Sequence, residues 1–192
     1  MLLGPRLGRF SVKGEVRTIP GHNLGYIAIG GFLLWFGWFG FNGGSTLAAG
    51  TNVGHILLNT HMAGAAGAVA AMLMSYITRQ PALMANAVNG SIAGLVAITA
   101  GCASMQVPYA ILTGAIGGGL SVLGVICLEK MRLDDVVGAV SVHGLCGAWG
   151  TLAAGLFLTG NMFDLHQIMV QMIGIGAAFV WVFFSAFVMY YL

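Results

Sequence analysis

Charged residues are scarce in this chain of 192 residues, and their scarcity excludes an ordinary soluble fold. Only 6% of the residues are charged and 58% are hydrophobic, whereas a typical soluble domain carries about 25% charged residues. The mean hydropathy is +0.92. A surface in contact with water cannot be built from this composition. The sequence therefore predicts an all-α integral membrane protein.

Six apolar runs are each long enough to cross a bilayer, which takes roughly 20 apolar residues. They lie near 24–44, 54–77, 83–101, 107–128, 136–158 and 166–191. The sequence thus predicts a cytoplasmic loop over residues 1–22 and a six-helix membrane domain over residues 23–192. Residues 1–22 do not read as a signal peptide, because they are mostly polar and basic and lack an extended hydrophobic core.

Positive charge is missing from alternate loops. Four of the seven basic residues precede the first run, Arg79 lies between the second and third, and Lys130 and Arg132 lie between the fourth and fifth. The loops without Lys or Arg are those near 45–53, 101–106 and 159–165. Because basic residues accumulate in cytoplasmic loops, the pattern predicts a multi-pass cell-membrane protein with both termini in the cytoplasm.

Cysteine is also scarce, and the chain shows no constellation typical of an enzyme or a metal site. Cys102, Cys127 and Cys146 form no CxxC or Cys/His spacing, so neither a disulfide framework nor a bound metal is predicted. The apolar runs offer no nucleophile–base pair, no cofactor motif and no TVGYG filter. No basic patch indicates nucleic acid. The sequence predicts a protein that is not an enzyme and holds no cofactor.

Glycine, in contrast, is abundant, at 31 residues. Lipid tails give helices no hydrophobic reason to associate, so membrane bundles depend on small residues that let backbones approach. The glycines that recur at helical spacing are Gly64, Gly67, Gly114, Gly117, Gly118, Gly144, Gly147 and Gly150. They indicate close packing of helices.

The first apolar run ends with aromatic residues and a serine, in the segment WFGWFGFNGGS at 35–45. Four positions spaced by four, three and four share one helical face: Leu34, Trp38, Phe41 and Ser45. Aromatic faces attract a small cation, and a hydroxyl oxygen can replace part of its water shell. An ordinary aromatic belt at the membrane surface is the alternative interpretation.

His143 lies about seven residues inside the fifth run, roughly 10 Å past the cytoplasmic edge at about 1.5 Å per residue. Ionisable groups at such depth usually face a cavity or a partner, and the glycines beside His143 predict a narrow gap around it. A neutral imidazole there suits a small polar molecule or a proton relay, and a hydrogen-bonded structural histidine is the alternative. For His61, in the second run, a hydrogen bond between helices is favoured. Asp134 and Asp135 are predicted to stabilise the helix N-terminus.

Three long segments are recognisable: GHNLGYIAIGGFLLWFGWFGFNGGS, IAGLVAITAG and DDVVGAVSVHGLCGAWGTLAAGLF. Together they resemble the ammonium transporter family, which includes the Amt and MEP proteins and, more distantly, the Rhesus proteins. The resemblance implies the fold of that family: eleven transmembrane helices in two inverted five-helix halves plus a last long helix, assembled as trimers. This chain resembles the sixth to eleventh helices.

The resemblance also implies roles for individual residues. Phe41 matches one of two stacked gate phenylalanines, and Ser45 matches the hydroxyl of the outer ammonium recruitment site. Trp38 matches the pore-lining tryptophan below the gate, and His143 matches the second of the twin pore histidines. Thr99 matches a threonine at the end of the eighth helix, with a pore or structural role.

Several functional residues of the family belong to its first half and have no counterpart identified in this chain, among them the first twin histidine and the second gate phenylalanine. His61 stands where the family more often has a small or neutral residue, and a pore or structural role is assigned to it. The partners implied are ammonium or ammonia, the lipid bilayer, a missing N-terminal half and further copies in a homotrimer. The chain ends at Leu192 without a cytoplasmic tail, so regulation through such a tail by PII-type proteins is not predicted.

The leading functional hypothesis is transport of ammonium or ammonia by a fragment or half of a pore. Moving ammonium whole through a narrow apolar pore carries a desolvation cost on the order of several kcal/mol. Recruiting the cation at aromatic rings and passing neutral ammonia along imidazoles reduces that cost. The alternative is a membrane assembly or ammonium-sensing module that associates with full-length subunits and does not itself transport.

Overall fold

The computed structural model describes residues 4–12, 15–47, 49–50, 52–80 and 83–191. Within these ranges the regular structure is helical, apart from one isolated bridge between Phe10 and Val16. The helices are α1 (Leu24–Gly44), α2 (Asn52–Ile77), α3 (Leu83–Thr99), α4 (Val107–Lys130), α5 (Cys146–Leu156) and α6 (Leu165–Tyr191). A π-helical segment, Val140–Leu145, runs directly into α5. The all-α prediction is confirmed.

Each predicted apolar run contains a helix, but the helices differ in length. Among the described residues, those long and apolar enough to cross a membrane are α1, α2, α4 and α6. The other two apolar helices are shorter: Met84–Thr99 within α3, and Val140–Leu156, which joins the π-helical segment to α5.

Local sequence explains where several helices begin. The Asn23 side chain accepts a hydrogen bond from the Tyr26 amide at 3.2 Å, which caps the N-terminus of α1. Proline stands in the first turn of α4, at Pro108, where its missing amide hydrogen is not needed by the helix. The Asp135 carboxylate accepts from the amides of Val140 and Ser141 at 3.2 and 3.0 Å and so caps the π-helical segment.

The packed side of the molecule is formed by α2, α3 and α4, whose backbones touch through glycines. A Cβ atom added to Gly118 would overlap the backbone of Gly67, and one added to Gly114 or Gly94 would overlap the backbone of Ala63. Every residue in these contacts is buried. The predicted role of glycine in close packing is confirmed at Gly67, Gly114 and Gly118.

Polar groups of α2 bind the loop between α3 and α4. The Asn59 amide nitrogen lies 3.0 Å from the Cys102 carbonyl oxygen and 2.8 Å from that of Met105. The His55 Nε2 atom lies 2.8 Å from the same Met105 oxygen. Because Asn59 is fully buried, these bonds hold the loop between α3 and α4 against α2.

Helices α1 and α6 are much less buried. In α6 no described residue is buried, and in α1 only Gly31, Asn42 and Gly43 are. α5 is held on α3 at Gly150, where an added Cβ would overlap the Ala97 carbonyl. The bundle therefore has a tightly packed side, formed by α2, α3 and α4, and an open face, which is the exposed surface that carries Phe41 and His143.

Ion pairs hold the N-terminal segment against the end of α4 and the residues that follow it. Arg6 donates to both oxygens of Asp134, at 2.7 and 2.9 Å, and Arg9 pairs with Glu129. The hydrogen bonds from Arg6 hold the pKa of Asp134 at about 2, below its ordinary value of 3.8. The predicted stabilisation of the helix N-terminus is confirmed for Asp135, which accepts from its first amides, whereas the contacts of Asp134 are with the arginines of the N-terminal segment.

Candidate functional site

An open cavity of about 340 Å³ lies on the open face. Its lining combines side chains from α1, α3, α5 and the π-helical segment: Trp38, Phe41, Val96, Thr99, Ala100, His143, Gly147 and Thr151. The aromatic pair Trp38 and Phe41 thus meets Thr99 and His143, which come from other parts of the sequence.

The indole of Trp38 is fixed by a short chain of hydrogen bonds. Its Nε1–H donates to the Thr99 hydroxyl at 2.9 Å, and that hydroxyl donates to the Leu95 carbonyl at 2.8 Å. Since the hydroxyl hydrogen is used by Leu95, the oxygen is free to accept from the indole. Thr99 therefore sets the orientation of Trp38 in the cavity wall.

Phe41 continues the aromatic wall towards the end of α1. Its ring meets that of Trp38 edge to face, with centroids 5.5 Å apart and planes at 68°. Phe41 is 57% exposed, so much of its ring faces the open side. The negative face of such a ring attracts cations.

Ser45 follows one turn beyond Phe41 and is exposed. Its hydroxyl donates to the Phe41 carbonyl oxygen, which closes the last turn of α1. Because the hydroxyl hydrogen is used within the helix, the lone pairs of the oxygen remain available to a donor or a cation from outside.

His143 is exposed on the open face, in the middle of the π-helical segment. Among the described residues no second helix comes close enough to His143 to form the predicted narrow gap. A Cβ at Gly144 would meet only Val140, at 3.9 Å, and one at Gly147 would meet Val96 at 3.7 Å. Gly150 does make a close backbone contact, but with α3 and not beside the imidazole. The imidazole therefore borders a wide, open cavity.

His61 lies outside the cavity lining. It is exposed, and its ring centroid lies 5.5 Å from that of Trp35 and 6.1 Å from that of Phe39. In the described part of the chain its contacts are with these rings of α1 rather than the predicted hydrogen bond between helices. Its neighbour Thr60 accepts such a bond from Asn42 of α1, and Asn59 binds the loop between α3 and α4.

Two contributors to the site were missed at the sequence level. Thr151 lines the cavity one turn beyond Gly147, and Asn42 is buried beside Phe41, where it donates to the Thr60 hydroxyl at 3.0 Å. The available signal was a polar residue inside an apolar helix, where an amide needs a partner. Among the described residues no group of three or more His, Cys, Asp or Glu side chains is placed to hold a metal ion.

The chain is similar to known proteins in its sequence and in its structure. The profile of the Ammonium Transporter Family matches residues 1–192. The chain is 43% identical to ammonium transporter Amt2 of Archaeoglobus fulgidus, over all of this chain and 44% of that protein. It is 41% identical to the ammonium transporter of Bacillus subtilis, over 87% of this chain and 44% of that protein.

Solved structures show a similarity to the same family. The chain superposes on a protein described as a sensor Amt protein with a TM-score of 0.93 and 36% identity, over 98% of this chain and 48% of the other. With Mep2 of Candida albicans the TM-score is 0.83 at 29% identity, over 95% and 43%. The chain thus spans about half the length of the relatives it matches. On its sequence and its fold, the chain belongs to the ammonium transporter family.

Proposed function

We propose that this chain forms the second half of a transmembrane pathway for ammonium or ammonia, which a first half completes. The observation that carries the proposal is the open cavity. It gathers Trp38, Phe41 and His143 on a face that has no cover in the described part of the chain. The relatives extend over about twice the length matched here, so in them a further part of similar size lies outside the matched region.

The proposed topology takes all six helices as membrane spans, with both termini in the cytoplasm. It divides the chain into a cytoplasmic loop at 1–22 and a membrane domain at 23–192. The two shorter helices, α3 and the π-helical segment with α5, are supported as spans by their apolar composition. The basic residues at one end support the orientation.

In the proposed mechanism the outer end of α1 recruits ammonium. The Ser45 oxygen supplies free lone pairs, and the faces of Phe41 and Trp38 supply cation–π attraction. Thr99 holds Trp38 in place for this purpose. Together these groups replace part of the hydration shell, and this lowers the cost of leaving water.

His143 acts deeper in the pathway. A neutral imidazole offers one donor and one acceptor, which suits ammonia and avoids carrying a full charge through the apolar interior. The proton released from ammonium needs a second acceptor group, which the proposal assigns to a histidine in the first half. His61 lies away from the cavity, so it is given a structural role against Trp35 and Phe39.

The proposed assembly is a homotrimer in the lipid bilayer, as the family resemblance implies. Its support is the amount of exposed apolar surface on α1 and α6, which requires lipid or protein contact.

The test is uptake of methylammonium in cells that lack their own ammonium transporters. Three samples are compared: this chain alone, this chain with the first half of a full-length relative, and that pair with His143→Ala. His166→Ala, an exposed histidine outside the cavity, is the matched control. We expect uptake only from the pair, its loss in His143→Ala, and normal uptake in His166→Ala.

Normal transport by the His143→Ala pair would remove His143 from the mechanism. Uptake by the chain alone would contradict the requirement for a first half.

A second candidate function, ammonium sensing or assembly with full-length subunits, is favoured by the superposition on the sensor Amt protein. In that case the chain would co-purify with a full-length subunit, and neither Phe41→Ala nor His143→Ala would change uptake by that complex. A drop in uptake with either variant would favour transport.

A further inference from the structure

The helix that carries His143 is not a regular α-helix. Residues Val140–Leu145 form a π-helical segment, and His143 is its fourth residue. A π-helical turn holds one more residue than an α-helical turn, so it changes the direction in which its side chains project. Such turns are rare and occur frequently at functional sites. What holds this turn in place therefore determines where the imidazole points.

Both ends of the turn are fixed to other parts of the fold. At the start, Asp135 accepts from the amides of Val140 and Ser141, and from the Ser141 hydroxyl at 3.0 Å. Beyond the turn, Gly150 is in close backbone contact with Ala97 of α3. The extra residue has to be accommodated between these two attachments.

Cys146 lies where the π-helical segment passes into α5, and it is fully buried. Its Sγ lies 3.2 Å from the Ser141 carbonyl oxygen, five positions earlier, an offset that matches the π-helical repeat. Its backbone amide donates to the His143 carbonyl. The side chain and the amide of Cys146 therefore both bind carbonyls of the turn that contains His143.

The same sulfur also reaches the neighbouring helix. Sγ lies 3.2 Å from the carbonyl oxygen of Gly117 in α4. The thiol hydrogen is thus shared between a carbonyl of the π-helical turn and a carbonyl of the packed side. Gly124, further along α4, packs against Ser141, where an added Cβ would lie 3.1 Å from the Ser141 Cβ. The turn rests on α4 at both points.

We propose that Cys146 is a positioning residue for His143. Its thiol joins the π-helical turn to α4 and so fixes the direction in which the imidazole enters the cavity. This inference rests on the proposed role of His143 in the pathway. It assigns to the cysteine a hydrogen-bonding role rather than that of a small apolar filler, because two carbonyl oxygens lie within reach of a single buried donor.

The experiment compares Cys146→Ala, which removes the donor, with Cys146→Ser, which retains one. Cys146→Val is included because it removes the donor and keeps the volume, in case the alanine variant does not fold. Cys102→Ala is the matched control, since Cys102 is also buried but lies between α3 and α4, away from the turn.

The first measurement is the nitrogen NMR spectrum of the purified protein, with isotope-labelled histidine. The signal of His143 is identified as the one that is lost in His143→Ala. We expect the His143 signal to shift or split in Cys146→Ala and Cys146→Val, to return in Cys146→Ser, and to be unchanged in Cys102→Ala. An unchanged His143 signal in both donor-free variants would overturn the proposal. A change of equal size in Cys102→Ala would overturn it too.

The second measurement is methylammonium uptake by the pair of halves. We expect the maximal rate of Cys146→Ala to fall about tenfold or more, as for a misplaced functional group, with KM unchanged because the recruitment residues are untouched. A change in KM alone would contradict positioning of His143. If the unmodified pair does not transport while the His143 signal still depends on the thiol, the proposed function fails and the positioning role stands.

Discussion

The packed side and the open face of this bundle are built from different residues and do different things. On the packed side, glycine and alanine bring α2, α3 and α4 into backbone contact, and polar groups such as Asn59 are fully buried. On the open face, Phe41 and His143 are exposed. The residues that hold the fold together and those that form the candidate site are therefore largely separate sets.

This separation follows from the membrane as a solvent. Without a hydrophobic drive between helices, association depends on close contacts between small residues and on satisfied polar groups. The cavity side has aromatic and ionisable side chains. These suit a substrate, but they are too large for close contact between helix backbones. The comparison predicts that substitutions on the packed side change stability, whereas those on the open face change function.

Gly118→Ala is expected to have the largest effect on stability. The new Cβ would overlap the Gly67 backbone, which no side-chain rotation can relieve, so the free energy of unfolding should fall by about 3 kcal/mol or more. Denaturation in detergent measures it. The control is Gly37→Ala, where nothing lies near the added Cβ, and the change should stay within about 1 kcal/mol. Equal effects at the two glycines would break the comparison.

Asn59→Ala is expected to have the next largest effect on stability. It removes the donor to the carbonyls of Cys102 and Met105; the Met105 carbonyl keeps the His55 ring beside it, whereas the Cys102 carbonyl loses this partner, so the free energy of unfolding should fall by about 2 kcal/mol. Asn52→Ala, at the exposed first residue of α2, is the control. If Asn59→Ala lowers the melting temperature no more than Asn52→Ala does, the polar ties contribute little to the packed side.

Asp134→Asn is expected to lower the free energy of unfolding by about 1 to 2 kcal/mol. Solvent screening weakens the ion pair, because Arg6 is 37% exposed. The pKa of Asp134 is about 2 in the folded protein and 3.8 ordinarily. A lowered pKa stabilises the fold above about pH 4, and that contribution is lost as the pH falls from about 4 towards 2. Melting temperatures over this range should converge for the two proteins. A constant difference down to pH 2 would show that the ion pair is not responsible.

Phe41→Ala should have the smallest effect on stability, within about 0.5 kcal/mol, because the ring is already largely exposed. The matched substitution on a buried ring is Phe157→Ala, whose ring stacks on Tyr109 at 5.2 Å and whose loss should cost about 3 kcal/mol. Methylammonium uptake should show the reverse order. Strong destabilisation by Phe41→Ala would mean that the open face also supports the fold.

The helices were predictable because hydropathy and length determine them almost locally. The apolar runs beginning at 24, 107 and 166 start within one residue of α1, α4 and α6. The meeting of Trp38 and Phe41 was predictable from helical spacing alone. The bond from Trp38 to Thr99 was not, because it joins different helices, and Thr99 was noticed only through family resemblance.

The features that were missed depend on contacts distant in the sequence. The pairing of Asp134 joins it to Arg6, which lies 128 residues earlier. The π-helical turn was missed because Asp135 and Gly150 indicate a helix start and a close packing contact without distinguishing a π-helical turn from an α-helical one. The exposure of His143 could not be predicted from hydropathy, since an apolar run looks the same whether or not its neighbours are present.

The backbone contacts between α2, α3 and α4 also bear on how the protein is made. These three helices follow one another directly in the chain, so the glycine contacts that unite them need nothing from α5 or α6. Because a chain is synthesised from its N-terminus, all three helices of the packed side are made before α5 and α6. The segment that carries His143 is therefore made after every residue of the glycine contacts between α2, α3 and α4.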